Sequence, residues 1–417
     1  MAAGIALGIL LNLLGDAVAP FTGVLVNGVL RVIGRIFIAL LQMMVVPLVL
    51  VSLVCGVTST AGVRALGRIG GKTLGLYVAT TCIAVTIALT LASLVSPGAG
   101  FELSGDVTFE PRTAPSLADV IIGMVPTNPV QALAEAQMLQ IIVFALLLGF
   151  AISGAGEAGR RVAAFFTDLD VIITKLVLLV IKTAPVGVFA LLAQTFAEAG
   201  FAAFQPLAKY FVTVVAALLL HGTLTYGSLL TLARLNIGRF LAKVRAVLTF
   251  AFSTSSSSAT IPVTLETLEN ALGVRNSVAA FTVPLGATVN MDGTAIMQGV
   301  ATVFIANAYG VDLSVGDFIS VIATATLASI GTAGVPGAGL VMLAMVLTQV
   351  GLPVEGIALI IGVDRLLDML RTALNVTGDC VVTCVVARSE GALDLARYDD
   401  PDATVQSFSG LTEQRPA

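Results

Sequence analysis

The stretch 357-IALIIGVDRLLDMLRTALNVTGDCVVTCVV-386 decides the fold, because it is apolar enough to cross a bilayer and yet carries a regular set of polar residues. These are Asp364, Asp368, Arg371, Thr372, Asn375 and Asp379, at successive spacings of four, three, one, three and four. The spacings place them on one face of an α-helix, over about 22 Å of a hydrocarbon core of about 30 Å. An ionised side chain at the bilayer centre costs about 2.5–3.5 kcal/mol, so this face must meet a partner, a cavity or a bound ion.

Two interpretations of this stripe are open. Structural ion pairs between packed helices would explain the charges. Thr372 and Asn375, however, add oxygen atoms that charge pairing does not need. The stripe therefore favours a buried site for ions and a charged solute.

The composition is that of a polytopic membrane protein. Of the 417 residues, 57% are hydrophobic and 11% are charged, whereas soluble domains carry roughly 25% charged residues. Apolar runs recur along nearly the whole length, and a signal peptide would account for only one of them. The net charge of −4, with dispersed Lys and Arg, gives no nucleic-acid footprint.

Cysteine and histidine usage excludes several kinds of chemistry. The four cysteines lie in apolar runs, show no disulfide or metal spacing and are interpreted as packing residues. His221 is the only histidine, which excludes most Ser-His and His-metal sites. It lies in an apolar stretch, so we expect it to pack there rather than to relay a proton.

Basic residues predict the orientation in the membrane. Residues 64–72, 160–161 and 234–245 are basic, whereas the loop 97–115 is acidic. The positive-inside rule places the basic segments in the cytoplasm and the acidic loop outside. We therefore expect a multi-pass protein of the inner, or plasma, membrane with both termini in the cytoplasm.

Two apolar stretches, 246–272 and 316–351, are interrupted near their middle. A Ser/Thr run at 253–258 interrupts the first, and 331-GTAGVPGAG-339 interrupts the second. Gly costs up to about 1 kcal/mol and Pro about 3 kcal/mol per helical position, so neither stretch is expected to be one helix. Each is expected to be a re-entrant hairpin, which membrane depth tolerates when it is buried or lines a cavity. Two ordinary kinked spans would leave the C-terminal end of the chain on the same side of the membrane, so they remain the alternative.

Each interrupted stretch precedes a helix that carries Asn and Asp. The first precedes 290-NMDGT-294, in a helix expected over 276–308, and the second precedes Asn375 and Asp379. Paired interrupted segments in corresponding halves are typical of a transporter site, in which helix N-termini face anions and freed carbonyls bind cations.

Four motifs together resemble one known family. They are 255-SSSSATIP-262, 290-NMDGT-294, 331-GTAGVPGAG-339 and 368-DMLRTALNVTGD-379. Over nearly its whole length the chain resembles the dicarboxylate/amino acid:cation symporters, the glutamate and aspartate transporters, and among them the prokaryotic sodium-aspartate members. The resemblance implies an all-α polytopic membrane protein with eight transmembrane helices and two re-entrant helical hairpins in inverted repeats. It also implies a homotrimer that works as an elevator.

The resemblance divides the chain into a fixed and a moving part. Residues 1–70 (helices 1–2) and 99–200 (helices 4–5) would form the scaffold. Residues 71–98 (helix 3) and 201–393 (helix 6, hairpin 1, helix 7, hairpin 2 and helix 8) would form the transport domain. Residues 394–417 would be a cytoplasmic tail.

The resemblance also implies roles at a substrate site. Arg371 would hold the side-chain carboxylate of the substrate through its planar, always charged fork. Asp368 would bind the α-amino group and Asn375 the α-carboxylate. The other implied substrate contacts are Thr294, Thr372, Ser257, Val335 and Gly339.

Co-transported sodium is implied at more than one site, with oxygen ligands that suit a hard cation. The first set is Asp379, Asn375, Gly286 and Asn290. The second set is Tyr77, Thr80, Thr81, Asn290 and Asp292. The third set is Thr288, Ser329, Ile330 and Thr332. Asp364 and Arg365 would support these sets, and interhelical hydrogen bonding would equally explain Tyr77, Thr80 and Thr81.

The chain departs from the family patterns in two respects, the place of an additional arginine and the residue at position 298. Archaeal aspartate members carry an arginine where this chain has Ser255, and animal glutamate members carry one where it has Met369. The additional arginine here is Arg365, as in some bacterial members. Gln298 replaces the proton-carrying glutamate of the animal members, and Gln cannot titrate.

We therefore expect a secondary active symporter, not an enzyme, that imports acidic amino acids, L-aspartate above L-glutamate, with sodium. The alternative is a proton-coupled glutamate/aspartate or C4-dicarboxylate symporter. Asp368 disfavours a pure dicarboxylate carrier because it needs a cationic partner, and Arg371 disfavours a neutral amino acid carrier. A channel is disfavoured because the tips of the two hairpins are expected to close over the site. An intramembrane aspartyl protease is disfavoured because the chain has no paired-aspartate motif of that kind.

Overall fold

The structure, a computed structural model, describes residues 2–14, 24–60, 67–100, 122–123, 125–200, 204–330 and 337–403. Within these residues the regular elements are helices, and an isolated antiparallel bridge joins Val274 to Leu393. The predicted all-α class is thus confirmed for the described part of the chain. The α-helices are α1 (Ala2–Leu14), α2 (Arg31–Thr60), α3 (Gly67–Val95), α4 (Pro129–Ala134), α5 (Met138–Gly154), α6 (Gly156–Ile181), α7 (Ala184–Ala199), α8 (Phe204–Leu220), α9 (Gly227–Leu232), α10 (Ile237–Thr254), α11 (Ser257–Glu266), α12 (Asn276–Val289), α13 (Asp292–Ala308), α14 (Val315–Ser329), α15 (Ala338–Gln349), α16 (Ile357–Ser389) and α17 (Leu395–Asp399).

Several helical segments are long and apolar enough to cross a membrane. In the described residues these are 25–55, 68–95 and 204–232, and a pair bent by 46°, 156–180 with 184–197, forms a candidate fourth span. Helix α16 is longer than any of them at 33 residues, but it carries the polar stripe. Together they identify a membrane protein, while the count of eight spans remains a prediction.

Two hydrophobic clusters meet along α16. The first cluster includes Leu359 and Leu367 and joins α16 to α2, α3, α5, α13 and α15. The second includes Val376 and Cys384 and joins α16 to α10, α11 and α12. The polar residues 368–375 lie where one cluster gives way to the other. These residues are therefore enclosed by the protein, together with other buried polar residues such as Asn290 and Asp379.

Both predicted interruptions are breaks between helices. Helix α10 ends at Thr254, Ser255 takes a left-handed conformation (φ 51°), and the Ser256 side chain caps α11 by accepting a hydrogen bond from the Ala259 N–H. Helix α14 ends at Ser329, and α15 begins after Gly337, whose φ is +81°. The two helices of each pair contact one another. The tip residues 331–336 lie outside the described residues, and re-entry from one face remains a prediction.

The prediction of one helix over 276–308 is wrong, because α12 ends at Val289 and α13 begins at Asp292. Asn290 (φ −93°, ψ 89°) and Met291 (φ −118°, ψ 44°) leave the helical region. The backbone groups that a break frees need other partners. Asn375 Oδ1 accepts from the Gly293 N–H at 2.7 Å, and Ser329 Oγ donates to the Val289 carbonyl at 3.0 Å. Distant residues thus stabilise this break.

Candidate functional site

The centre of the site is an arginine held between two carboxylates of its own helix. Arg371 is 1% exposed, and its guanidinium donates to Asp364 Oδ1 at 2.8 Å and to Asp368 Oδ1 at 2.9 Å. Its Nε has no hydrogen-bond partner among the described residues. A buried guanidinium is costly without an anion, so the two carboxylates stabilise the charge of Arg371. A carboxylate of a bound solute could replace one of them. The stripe predicted from helical spacing is therefore present and buried.

Asp368 also contacts the second interrupted stretch and a second arginine. Its Oδ2 accepts from the Gly337 N–H at 3.4 Å and lies 3.8 Å from Arg365 NH1. The position of Gly339 explains why a small residue is needed there. A Cβ on Gly339 would lie 3.1 Å from Thr294 Cγ2 and 3.5 Å from Arg371 NH2. The first turn of α15 therefore forms one wall of the site.

Asn375 joins α16 to the break between α12 and α13. Besides accepting from the Gly293 N–H, its Nδ2 lies 3.2 Å from Met291 Sδ, and its carbonyl accepts from Asn290 Nδ2 at 2.9 Å. Thr372 is buried one turn after Asp368, whose carbonyl accepts its hydroxyl at 2.8 Å. The N-terminal end of α13 thus faces the stripe, and a helix N-terminus favours an anion.

The two hairpin tips are described in part. Ser257 is buried at the first position of α11. Val335 and Thr332, the residues expected to contribute at the second tip, lie outside the described residues.

The first predicted cation set surrounds Asp379. This carboxylate is buried, and its Oδ1 accepts from Asn290 Nδ2 at 2.9 Å. Asn290 Oδ1 is buried and has no partner among the described residues, so it can accept a cation. A Cβ on Gly286 would collide with Asp379 Oδ1 and lie 2.6 Å from the Tyr77 hydroxyl. The Asp379 carboxylate and the Tyr77 hydroxyl thus lie where a side chain on Gly286 would not fit, and a carboxylate oxygen is a hard-cation ligand.

The second predicted cation set centres on Asp292, whose carboxylate contacts polar side chains of the protein. Asp292 is fully buried, and its Oδ1 accepts from Thr81 Oγ1 at 2.5 Å. Its Oδ2 lies 2.8 Å from the Tyr226 hydroxyl and 3.0 Å from His221 Nε2. The Thr80 and Thr81 hydroxyls also lie 3.1 and 2.8 Å from the Tyr77 carbonyl, and the single proton of Thr81 can go to this carbonyl or to Asp292. Polar groups of the protein therefore contact Asp292 on both oxygens.

The third predicted set lies at the end of α12 and of α14. The Ser329 contact with the Val289 carbonyl brings these helix ends together, and Ile330 caps α14. The Thr288 hydroxyl donates within its own helix, to the Leu285 carbonyl at 3.0 Å. In the part of the chain that the structure describes, no group of three or more His, Cys, Asp and Glu side chains could hold a metal ion. A cation here would rely on main-chain and amide oxygens.

A family model decides the classification. The model described as the sodium:dicarboxylate symporter family matches residues 1–389. The chain belongs to the sodium:dicarboxylate symporter family. The resemblance found in the four motifs is thereby confirmed, and the protein is a membrane symporter.

Curated relatives of this symporter fall into two groups. It is 37% identical to the proton/glutamate-aspartate symporter of Escherichia coli (strain K12), over 89% of this chain and 87% of the relative. It is 35% identical to the proton/sodium-glutamate symport protein of Bacillus subtilis (strain 168), over 92% and 90%. It is 33% identical to the C4-dicarboxylate transport protein of Rhizobium etli, over 99% and 93%.

Sequence reasoning missed two residues of this candidate site. His221 is more than a packing residue, since it contacts Asp292, and Tyr226 was not considered. Both lie on a π-helical turn, His221–Tyr226, between α8 and α9. Such single turns are frequent at functional sites. The only signal in the sequence was a lone histidine and a tyrosine in an otherwise apolar span.

Proposed function

We propose that the protein imports acidic amino acids, L-aspartate first and L-glutamate second, by symport with sodium. The observation that carries the proposal is the buried Arg371 beside the N-terminal end of α13. Arg371 can exchange Asp368 for a substrate carboxylate, Asp368 can then bind the α-amino group, and Asn375 can bind the α-carboxylate. A substrate with two carboxylates and one ammonium group matches this set group for group, since Arg371 and Asp368 each meet an opposite charge and the neutral Asn375 can donate a hydrogen bond to the second carboxylate.

Sodium would bind first at Asp379, where Asn290 Oδ1 is available as a further ligand. Solute and cation would support each other's binding, since opposite charges attract strongly in a low-dielectric site and the coupling is reciprocal. Closure of the second hairpin tip over both ligands would allow the transport domain to move as an elevator against the scaffold of a homotrimer.

The alternative is coupling to protons. It is favoured by the buried contact of Asp292 Oδ2 with His221 Nε2 at 3.0 Å, in which either partner can carry the proton. Relatives named as proton symporters and as proton/sodium symporters both occur. The two forms of coupling differ in which gradient drives uptake.

The test is uptake of radiolabelled L-aspartate into proteoliposomes under sodium and proton gradients imposed separately. We expect the sodium gradient alone to drive uptake. Asp379→Asn should raise the sodium concentration for half-maximal uptake by about tenfold or more, because one charged ligand is lost. Asp292→Asn should also weaken the sodium dependence. Full uptake driven by a proton gradient in sodium-free buffer would show that transport is coupled to protons and not to sodium.

A further inference from the structure

A methionine lies at the wall that α13 and α15 form beside the Arg371 guanidinium. Met297 belongs to α13 and is fully buried. A Cβ on Gly339 would lie 3.4 Å from Met297 Cε and 3.5 Å from Arg371 Nη2. It would also lie 3.1 Å from the Thr294 methyl group. Two methyl groups and the guanidinium thus surround one point, and we call Thr294, Met297 and Gly339 the apolar wall.

Backbone packing fixes the position of α13 against α16. A Cβ on Gly293 would lie 2.9 Å from Arg371 Cα and 3.1 Å from Asn375 Oδ1, so the two helices are as close as they can be. The hydrogen bond from the Gly293 N–H to Asn375 Oδ1, at 2.7 Å, holds them together. Met297 follows Gly293 by four residues and lies on the same face of α13. The side chain of Met297, rather than the backbone, therefore sets the room beside the arginine.

The guanidinium is fixed on its other side. Arg371 Nη1 donates to Asp364 Oδ1 at 2.8 Å, and Nη2, the nitrogen beside the apolar wall, donates to Asp368 Oδ1 at 2.9 Å. In the proposed function a substrate carboxylate replaces Asp368 at Nη2, while Asp364 keeps Nη1. The side chain of the substrate then ends next to the methyl group of Met297.

We propose that Met297 determines how long a substrate side chain Arg371 accepts. This inference rests on the proposed function, in which Asp368 and Asn375 hold the α-groups and Arg371 holds the far carboxylate. With both ends held, an additional methylene has to bow outward, and the apolar wall gives way only at Met297. Methionine is unbranched and has three rotatable bonds, so its thioether can turn aside for the longer glutamate. Aspartate requires no such movement and is accepted first.

The test compares the KM for labelled L-aspartate with the KM for labelled L-glutamate in reconstituted wild type, Met297→Ala and Met297→Phe. Met297→Ala enlarges the space, so the ratio of the glutamate KM to the aspartate KM should fall about tenfold, as one methylene in an apolar pocket allows. Met297→Phe places a rigid ring there, and the same ratio should rise about tenfold. A KM does not depend on the amount of folded protein, so partial unfolding cannot move the ratio in opposite directions.

Met345→Ala is the matched control. Met345 is 1% exposed in α15, but it lies six residues beyond Gly339 and outside the apolar wall. Its replacement by Ala should lower the Tm without changing the KM ratio. A longer solute gives a second measurement, since L-2-aminoadipate has one methylene more than glutamate. It should inhibit aspartate uptake in Met297→Ala and not in wild type. If one of the two Met297 variants does not fold, the other decides.

The outcomes separate this inference from the proposed function. Wild type that takes up both acids, with an unchanged KM ratio in the Met297 variants, overturns the role of Met297 and leaves the proposed function standing. A ratio that Met345→Ala shifts as far as Met297→Ala does also overturns it. Uptake driven by protons in place of sodium changes the coupling ion and leaves the role of Met297 standing. Wild type that takes up neither acid overturns both.

Discussion

At the scale of single residues, helical periodicity predicted contacts within one helix but not contacts between helices. The family resemblance supplied some of the latter, such as Thr81 with Asp292. Arg371 lies three residues after Asp368 and seven after Asp364, so helical geometry predicted that the three share a face. The contacts of Asp292 with Tyr226 and His221 span 66 and 71 residues of sequence. Such contacts depend on how distant helices pack, and the periodicity of the sequence carries no information about that packing.

Replacing Arg371 by Ala should lower aspartate affinity by at least about 100-fold, because the substrate carboxylate loses its partner and Asp364 and Asp368 stay buried without a cation. Uptake of labelled aspartate into proteoliposomes measures the loss, and weak binding of a neutral amino acid should emerge. Arg371→Lys should recover little, since an ammonium group lacks the bidentate fork. Wild-type aspartate affinity in Arg371→Ala would exclude Arg371 from the substrate site.

At the scale of helices, the sequence predicted the two breaks that contain runs of serine or glycine. It missed the break between α12 and α13. Serine, glycine and proline interrupt α10–α11 and α14–α15, and such residues disfavour a continuous helix wherever they occur. The break at Asn290 and Met291 does not coincide with such residues, since Pro284 and Gly286 lie inside α12 and Gly293 lies inside α13. It is held open by Asn375 and Ser329, from two other helices.

The second hairpin is expected to be the extracellular gate. Ala338, the first residue of α15, is 1% exposed, and its neighbour Gly337 donates to Asp368 at 3.4 Å. A thiol at Ala338 can therefore react only when α15 moves off the site. In a background without native cysteines, Ala338→Cys should react with an impermeant thiol reagent added outside, and sodium plus aspartate should protect it.

A cysteine at Val315, which is 75% exposed at the start of α14, is the control and should react at the same rate with and without ligands. Equal labelling of Ala338→Cys in both conditions would show that this hairpin does not gate the site.

At the scale of the whole molecule, the end of α16 ties distant elements together. Glu390 pairs with Arg68 and Lys72 at the start of α3. The residues that follow pair with the connection between α11 and α12, through the bridge of Val274 with Leu393. The sequence predicted that these basic segments share the cytoplasmic side. It could not predict the pairing, because Arg68 and Glu390 are 322 residues apart.

Glu390 should make stability depend on pH. Hydrogen bonds from Lys72 and Arg68 hold the pKa of Glu390 below its ordinary value of 4.5, and Glu390 lies beyond the end of α16. A carboxyl whose pKa is lower in the folded state stabilises the fold fully above its unfolded pKa, and this contribution fades as pH falls through the folded value. Glu390→Gln should therefore lower the Tm in detergent at pH 7, and the difference from wild type should shrink below about pH 4.5. Glu157→Gln, which breaks a pair exposed on both sides, should change Tm little at either pH. A difference for Glu390→Gln that grows on acidification would mean that the pairs with Arg68 and Lys72 do not stabilise the folded protein.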